Sequence, residues 1–253
     1  MDVFIDTFLN WEYISQVLPE LLGTGLLNTL ILAVSSAVIG TLLGMVLAIM
    51  GLSTRRWLRW PARIYTDVFR GLPAILTILL VGQGLGVLAR DIVGTNPYPL
   101  GILALSLIAS AYIGEIFRSG IQSVEKGQLE AGRALGMTYV KAMLLVVIPQ
   151  GVRRVLPALV NQFIALIKES SLVYFLGLLA EQRELFRIGQ DLAANTGNLS
   201  PLVAAGFLYL VITVPLTHLV NHIDTRLRTG RKVTTDPGER DELDLVAGGK
   251  VNA

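Results

Sequence analysis

The chain has 253 residues, of which 53% are hydrophobic and 16% charged, with a formal charge of +2 and no cysteine. Its mean hydropathy is +0.61, a balance that excludes an ordinary water-soluble domain, whose surface needs more charge to be wetted. The absence of cysteine excludes a disulfide framework and thiolate chemistry, and a charge so near neutral gives no reason to expect a nucleic-acid partner.

In chain order, residues 3–20 (VFIDTFLNWEYISQVLPE) mix apolar and acidic positions around Trp11 and Tyr13. They are expected to form a short helix lying on the membrane surface, so that 1–20 make an N-terminal interfacial segment. The segment lacks a positively charged start, which argues against a secretory leader. Charge-free runs follow at 21–54, 71–89, 92–114 and 192–223. A helix needs about 20 apolar residues to cross a hydrocarbon core of roughly 30 Å. A fifth apolar stretch, around 152–178, carries Lys168 and Glu169 inside it. The expected fold is therefore all-α: a polytopic membrane protein with five transmembrane helices, at about 22–50, 64–88, 98–120, 152–178 and 201–224. These form one transmembrane domain over 21–225. Residues 226–253, polar and patchily charged around DPGERDELD, read as a disordered tail.

Lysine and arginine set the orientation. The first 54 residues carry neither. Arg55, Arg56, Arg59 and Arg63 follow the first span, Lys126, Arg133 and Lys141 occupy the central loop, and Arg226, Arg228, Arg231 and Lys232 begin the tail. The opposite side holds Arg90, Arg183 and Arg187. This bias predicts an outside N-terminus and a cytoplasmic C-terminus.

The loop at 122–150 is the chain's most unusual segment. Val124–Leu135 is rich in Glu, Lys, Gln, Leu and Ala, which favour a helix. Gly136 then offers a stop or bend. A second amphipathic piece, Thr138–Val147, is expected to end at Pro149, where the chain turns into the next span. The small residues Ala131, Gly132 and Ala134 would let a partner backbone approach closely.

Glu130-Ala131-Gly132, three residues, Gly136, nine residues, then Val146-Val147-Ile148-Pro149 resembles the EAA loop of ABC-importer permeases. Gly132 stands where that family's second Ala is usual, with Val146 for Ile and Ile148 for Leu. VFRGLPAIL at Val68–Leu76, ALSLIASAYIGEIFRSGIQSVEKGQLEAGRALG and LPALVNQFIALIKESSLVYFLGL resemble the polar amino acid branch of those permeases, with Leu72 where Thr is usual. The likeness runs over roughly 22–225. It implies one half of a translocation path in a bacterial inner membrane, completed by an identical or homologous second permease subunit. It further implies a cytoplasmic ABC ATPase dimer, an extracytoplasmic solute-binding protein and a polar amino acid as cargo. Glu130, Ala131, Gly132 and Gly136 would be the ATPase-coupling points. The chain itself has no GxxxxGK[ST] loop, since Gly249-Lys250 is followed by Val251. It is expected to be no enzyme and to hold no cofactor, with ATP and magnesium bound by the partner.

Ionisable groups inside spans mark pathways or internal pairs. Asn161, Gln162, Lys168 and Glu169 fall at spacings of one and seven, on one helical face. Ser170 and Ser171 follow. An adjacent Lys and Glu match the carboxylate and ammonium of a zwitterion, which favours glutamate or glutamine as cargo; the alternative is a self-neutralising packing pair. Arg70 and Glu115 are expected to pair between spans two and three, or to meet the substrate as it leaves, with Tyr112 and Ser110 nearby. His218 and His222, four residues apart, read as interfacial and not as metal ligands. The rival to an ATP-driven importer is an ion-gradient-driven secondary transporter, against which the absence of an inverted repeat argues.

Overall fold

The structure, a computed structural model, describes residues 2–89, 91, 94 and 96–229. Arg90, Arg231, Lys232 and the tail from 230 onward lie outside the described residues. Those described are nearly all helical, and no strand occurs among them. Two short helices, α1 (Asp2–Phe8) and α2 (Trp11–Glu20), lead through a widened turn, Leu21–Gly25, into the long helix α3 (Leu26–Leu52). The Asn10 side chain caps α2 by accepting from the Glu12 amide at 3.0 Å. The N-terminal pair does not merely rest on a surface. Asn10 N–H donates to Ser200 Oγ at 2.9 Å and Asn198 Nδ2 donates to the Asp6 carbonyl at 2.7 Å, pinning it to the last helix of the bundle.

The second expected span, 64–88, is broken. Helix α4 (Arg56–Gly71) and helix α5 (Ala74–Leu79), which continues through Leu80–Gly84 into α6 (Leu85–Leu88), meet at 108°. Pro73 is the cause. It has no amide hydrogen and forces Leu72 out of the helical region, to φ −82° and ψ 141°. Counted as one bent span, this pair brings the number of candidate membrane spans to five.

Helix α7 (Tyr98–Gln122) is the axis of the fold: 67% of its most apolar stretch is buried, against 28% for that of the run Val3–Leu52, which includes α3. Small residues let α3 and α7 touch, as is usual where lipid gives no hydrophobic drive for helix pairing. A methyl group added at Gly40 would stand 2.8 Å from Ala109 Cβ, and one at Gly44 would stand 3.0 Å from the Gly114 amide nitrogen.

After α7 come helix α8 (Lys126–Ala134) and the single turn α9 (Tyr139–Ala142). The turn expected at Pro149 is absent. A widened π turn, Met143–Val147, joins α9 to α10 (Ile148–Glu169), and Pro149 sits in the first turn of α10, directly after that widened turn. Helix runs without a break over Tyr139–Leu176, 38 residues in all. The tight 3₁₀ run Ser170–Leu176 ends it, followed by Gly177 in a left-handed turn. Helix α11 (Leu185–Thr196) caps the same end, and α12 (Ser200–Thr229) closes the bundle. Residues 226–229, assigned to the tail by sequence, continue α12.

Candidate functional site

The 122–150 segment has the expected helix–bend–helix form. Leu135 follows α8, and Gly136 adopts φ +85°, a conformation that side chains with a Cβ resist. Gly136 N–H donates to the Arg133 carbonyl at 3.0 Å and Met137 N–H to the Gly132 carbonyl at 3.1 Å, closing the helix end. Glu130, Ala131 and Gly136 are exposed, and Leu135 is 82% exposed. Gly132 behaves differently from the expectation. It is buried, and a methyl group there would stand 3.2 Å from Ala142 Cβ, so its small size serves the packing of α8 on α9 and not a partner's approach.

Helix α10 carries a polar stripe. Arg154, Asn161 and Lys168 are all exposed and stand seven residues apart, hence on one face. Only 11% of the most apolar part of this helical run is buried in the single chain, yet that face bears charges that lipid does not solvate. The seven-residue spacing that joins Asn161 to Lys168 also reaches Arg154, at the loop end of the helix. One position round, Gln162 and Glu169 are half-buried. The Oε2 atom of Glu169 is buried and makes no hydrogen bond among the described residues, nor does Gln182 Oε1 or Thr77 Oγ1. Ser170 is fully buried and its hydroxyl donates to the Ile167 carbonyl at 2.7 Å; Ser171 does the same to the Lys168 carbonyl. Both hydroxyls are thus turned back onto the helix end.

Arg70 and Glu115 share one cavity, of about 390 Å³, with Arg63, Asp67 and Arg118, but do not form the expected pair. Glu115 is held in a two-pronged bond by Arg118, Nε to Oε1 at 2.9 Å and Nη2 to Oε2 at 2.7 Å. Being three residues apart on one helix makes that pair the local solution. Arg70 lies over the Tyr112 ring, 5.5 Å from its centroid. Ser110 is not on the cavity wall: it is buried and bonded to Tyr65 Oη at 2.8 Å, which ties α4 to α7. His218 and His222 are exposed on α12, and among the described residues no group of three or more metal-ligating side chains gathers.

Nothing in residue type or spacing singles out Glu184. It is fully buried at the start of α11, accepting from the Phe186 and Arg187 amides at 2.6 and 2.7 Å and from Tyr209 Oη at 3.0 Å. Burial outweighs these donors and pushes its carboxyl up to about 7. Beside it, Arg183 pairs with Glu20, Arg187 bonds Asp191 at 2.9 Å, and Asn28 Nδ2 donates to the Glu181 and Arg183 carbonyls. These contacts fasten the segment after the 3₁₀ run over that end of the bundle.

The profile of the binding-protein-dependent transport system inner membrane component family matches residues 40–229. The chain belongs to that family. Among curated relatives, it is 39% identical over 217 residues to the arginine transport system permease protein ArtQ of Bacillus subtilis, covering 85% of this chain and 97% of the relative. It is 35% identical to the glutamate/aspartate import permease protein GltK of Escherichia coli, covering 86% and 97%. A solved relative, described as an amino acid ABC transporter with histidines, superposes with a TM-score of 0.72 at 34% identity, covering 85% of this chain and 98% of that one. The family is one of membrane-embedded transport components, which agrees with the multi-pass helical fold.

Proposed function

We infer that the chain is the permease subunit of an ATP-driven, binding-protein-dependent importer of polar amino acids, with glutamate or glutamine as the favoured cargo. The observation that carries this reading is the α10 stripe. Asn161 and Lys168, seven residues apart and both exposed, make a polar track on this helix, and it ends beside a buried oxygen of Glu169 that has no hydrogen-bond partner among the described residues. Lys168 offers a donor to a substrate carboxylate, and Glu169 an acceptor to its ammonium. Asn161 and Gln162, one heptad earlier, supply neutral polar contacts on the way. Ser170 acts behind them by fixing the helix end. Arg70 and Glu115 line the charged cavity toward the coupling-segment end, a release station in this reading.

The open track needs a wall, and a second permease subunit, identical or homologous, supplies it. In this reading the N-terminus lies outside and the coupling segment in the cytoplasm. Exposed Glu130, Ala131 and Gly136 meet a separate ATPase dimer, which holds the ATP and magnesium, while a solute-binding protein delivers cargo to the opposite face. Relatives named for arginine, glutamate/aspartate and glutamine transport support the amino acid class. The test is uptake into proteoliposomes containing the chain with its ATPase and binding protein. Uptake that needs ATP and both partners is expected; uptake by this chain alone, driven by an ion gradient, contradicts the reading.

A further inference from the structure

We propose that Arg154 is a positioning residue that locks the C-terminal end of α7, from which the coupling helix α8 hangs by three residues, to the base of α10, so that α8 and the base of α10 move as one rigid lever. This deepens the transport reading and rests on it. Three independent contacts converge at the joint. First, α7 and α10 meet backbone to backbone. A methyl group on Gly151 would stand 2.8 Å from Ile121 Cα, and one on Gly120 would stand 2.7 Å from the Gly151 carbonyl oxygen and 2.6 Å from Val155 Cγ1. Second, Arg154 Nη1 donates to the Ser123 carbonyl and lies 3.4 Å from Ser123 Oγ, across 31 residues of sequence. Third, Gln150 Nε2 donates to Gln128 Oε1 on α8 at 3.1 Å. Beneath these, Ile121, Val124 and Val147 form a small buried cluster with Leu129 and Met143 packed on it.

The sequence makes the joint stiff. Only residues 123–125 separate α7 from α8, and the Ser123 carbonyl, exposed at the end of α7, is an acceptor that no helix bond occupies. A guanidinium donates to it from a helix turn away without rotating either element. Arg154 and Lys168 are then 14 residues apart on one unbroken helix, about 21 Å at 1.5 Å per residue. A displacement of α8 by a motor is handed to the base of α10, below Pro157, and passes along the helix toward the Lys168–Glu169 end. Arg154 touches no substrate in this scheme; it sets how much of the motor's stroke arrives.

The experiment uses the full reconstituted complex and reads two quantities together, ATP hydrolysed and amino acid taken up. Arg154→Ala is expected to assemble and hydrolyse ATP within about twofold of the parent, while uptake per ATP falls about tenfold, the factor that loss of a charged hydrogen bond supplies. Arg154→Lys, which still donates to the Ser123 carbonyl, restores most of that ratio. Unchanged uptake per ATP in Arg154→Ala overturns the proposal. Should that variant fail to assemble, a second arm decides. The chain has no cysteine, so Gln128→Cys and Gln150→Cys together can be bridged by a short bis-methanethiosulfonate, each thiolate displacing one methanesulfinate. Bridging is expected to leave uptake intact, because the two sites already move together; a loss of uptake on bridging overturns the lever. If the parent complex shows no ATP-dependent uptake, it is the transport reading that fails, and the two results are distinguishable.

Discussion

Glu115 is held by Arg118, three residues along the same helix, at 2.7 Å, and not by Arg70 across the cavity they share. The consequence is that Arg70 keeps its guanidinium available above the Tyr112 ring. Arg118→Gln should therefore lower thermal stability in detergent by about 1 kcal/mol, the range for a half-exposed two-pronged pair. Arg70→Gln should leave stability within about 0.5 kcal/mol, as for a surface change, and reduce uptake. Equal losses of stability in the two variants would indicate that Arg70 pairs with Glu115 after all.

Glu184 gives a pH dependence with a defined sign. Its carboxyl is raised in the folded chain from 4.5 to about 7. A raised acid favours the folded state while protonated, so its contribution is fully present below 4.5 and is lost as pH rises through about 7. Over that window the parent should lose more thermal stability with rising pH than Glu184→Gln, whose side chain does not titrate. Melting curves at several pH values check this; parallel curves would remove Glu184 as the cause.

The glycines next to the 3₁₀ run make a paired prediction. A methyl group at Gly82 would stand 2.2 Å from Leu176 Cδ2, whereas nothing lies within 4 Å of one at Gly84. Gly82→Ala should cost about 1–3 kcal/mol by overpacking and disturb the helix end that carries Lys168. Gly84→Ala should be tolerated. Thermal unfolding of the two variants, made side by side, decides it.

Gly136→Ala tests the coupling bend. At φ +85° a Cβ is expected to cost about 1 kcal/mol or more, felt locally in the α8–α9 turn. Retention of the ATPase on affinity purification should fall while the permease stays folded. Unchanged retention would separate the bend from docking.

The membrane class was legible because charge-free runs and basic loops report the bilayer directly, and the helix–bend–helix form of 122–150 because its helix-forming residues stop at Gly136. Two backbone events were not. Gly71-Leu72-Pro73 lies within an apolar run, so hydropathy passed over a proline that bends the span by 108°. Pro149 misled in the other direction: a widened turn before it lets helix continue, and nothing in residue type marks such a turn. The expected Arg70–Glu115 pair does not form because Arg118, three residues along the same helix, takes Glu115 locally. Glu184 had no signal at all, since one acid in a polar stretch looks solvated until the fold buries it.

The α10 track ending at Lys168 and Glu169 is the centre of the account. Its most direct test is amino acid uptake by the reconstituted complex carrying Lys168→Glu, compared with the parent, with subunit assembly measured in the same preparations. The account predicts loss of uptake with assembly intact. Uptake at the parental rate would contradict it.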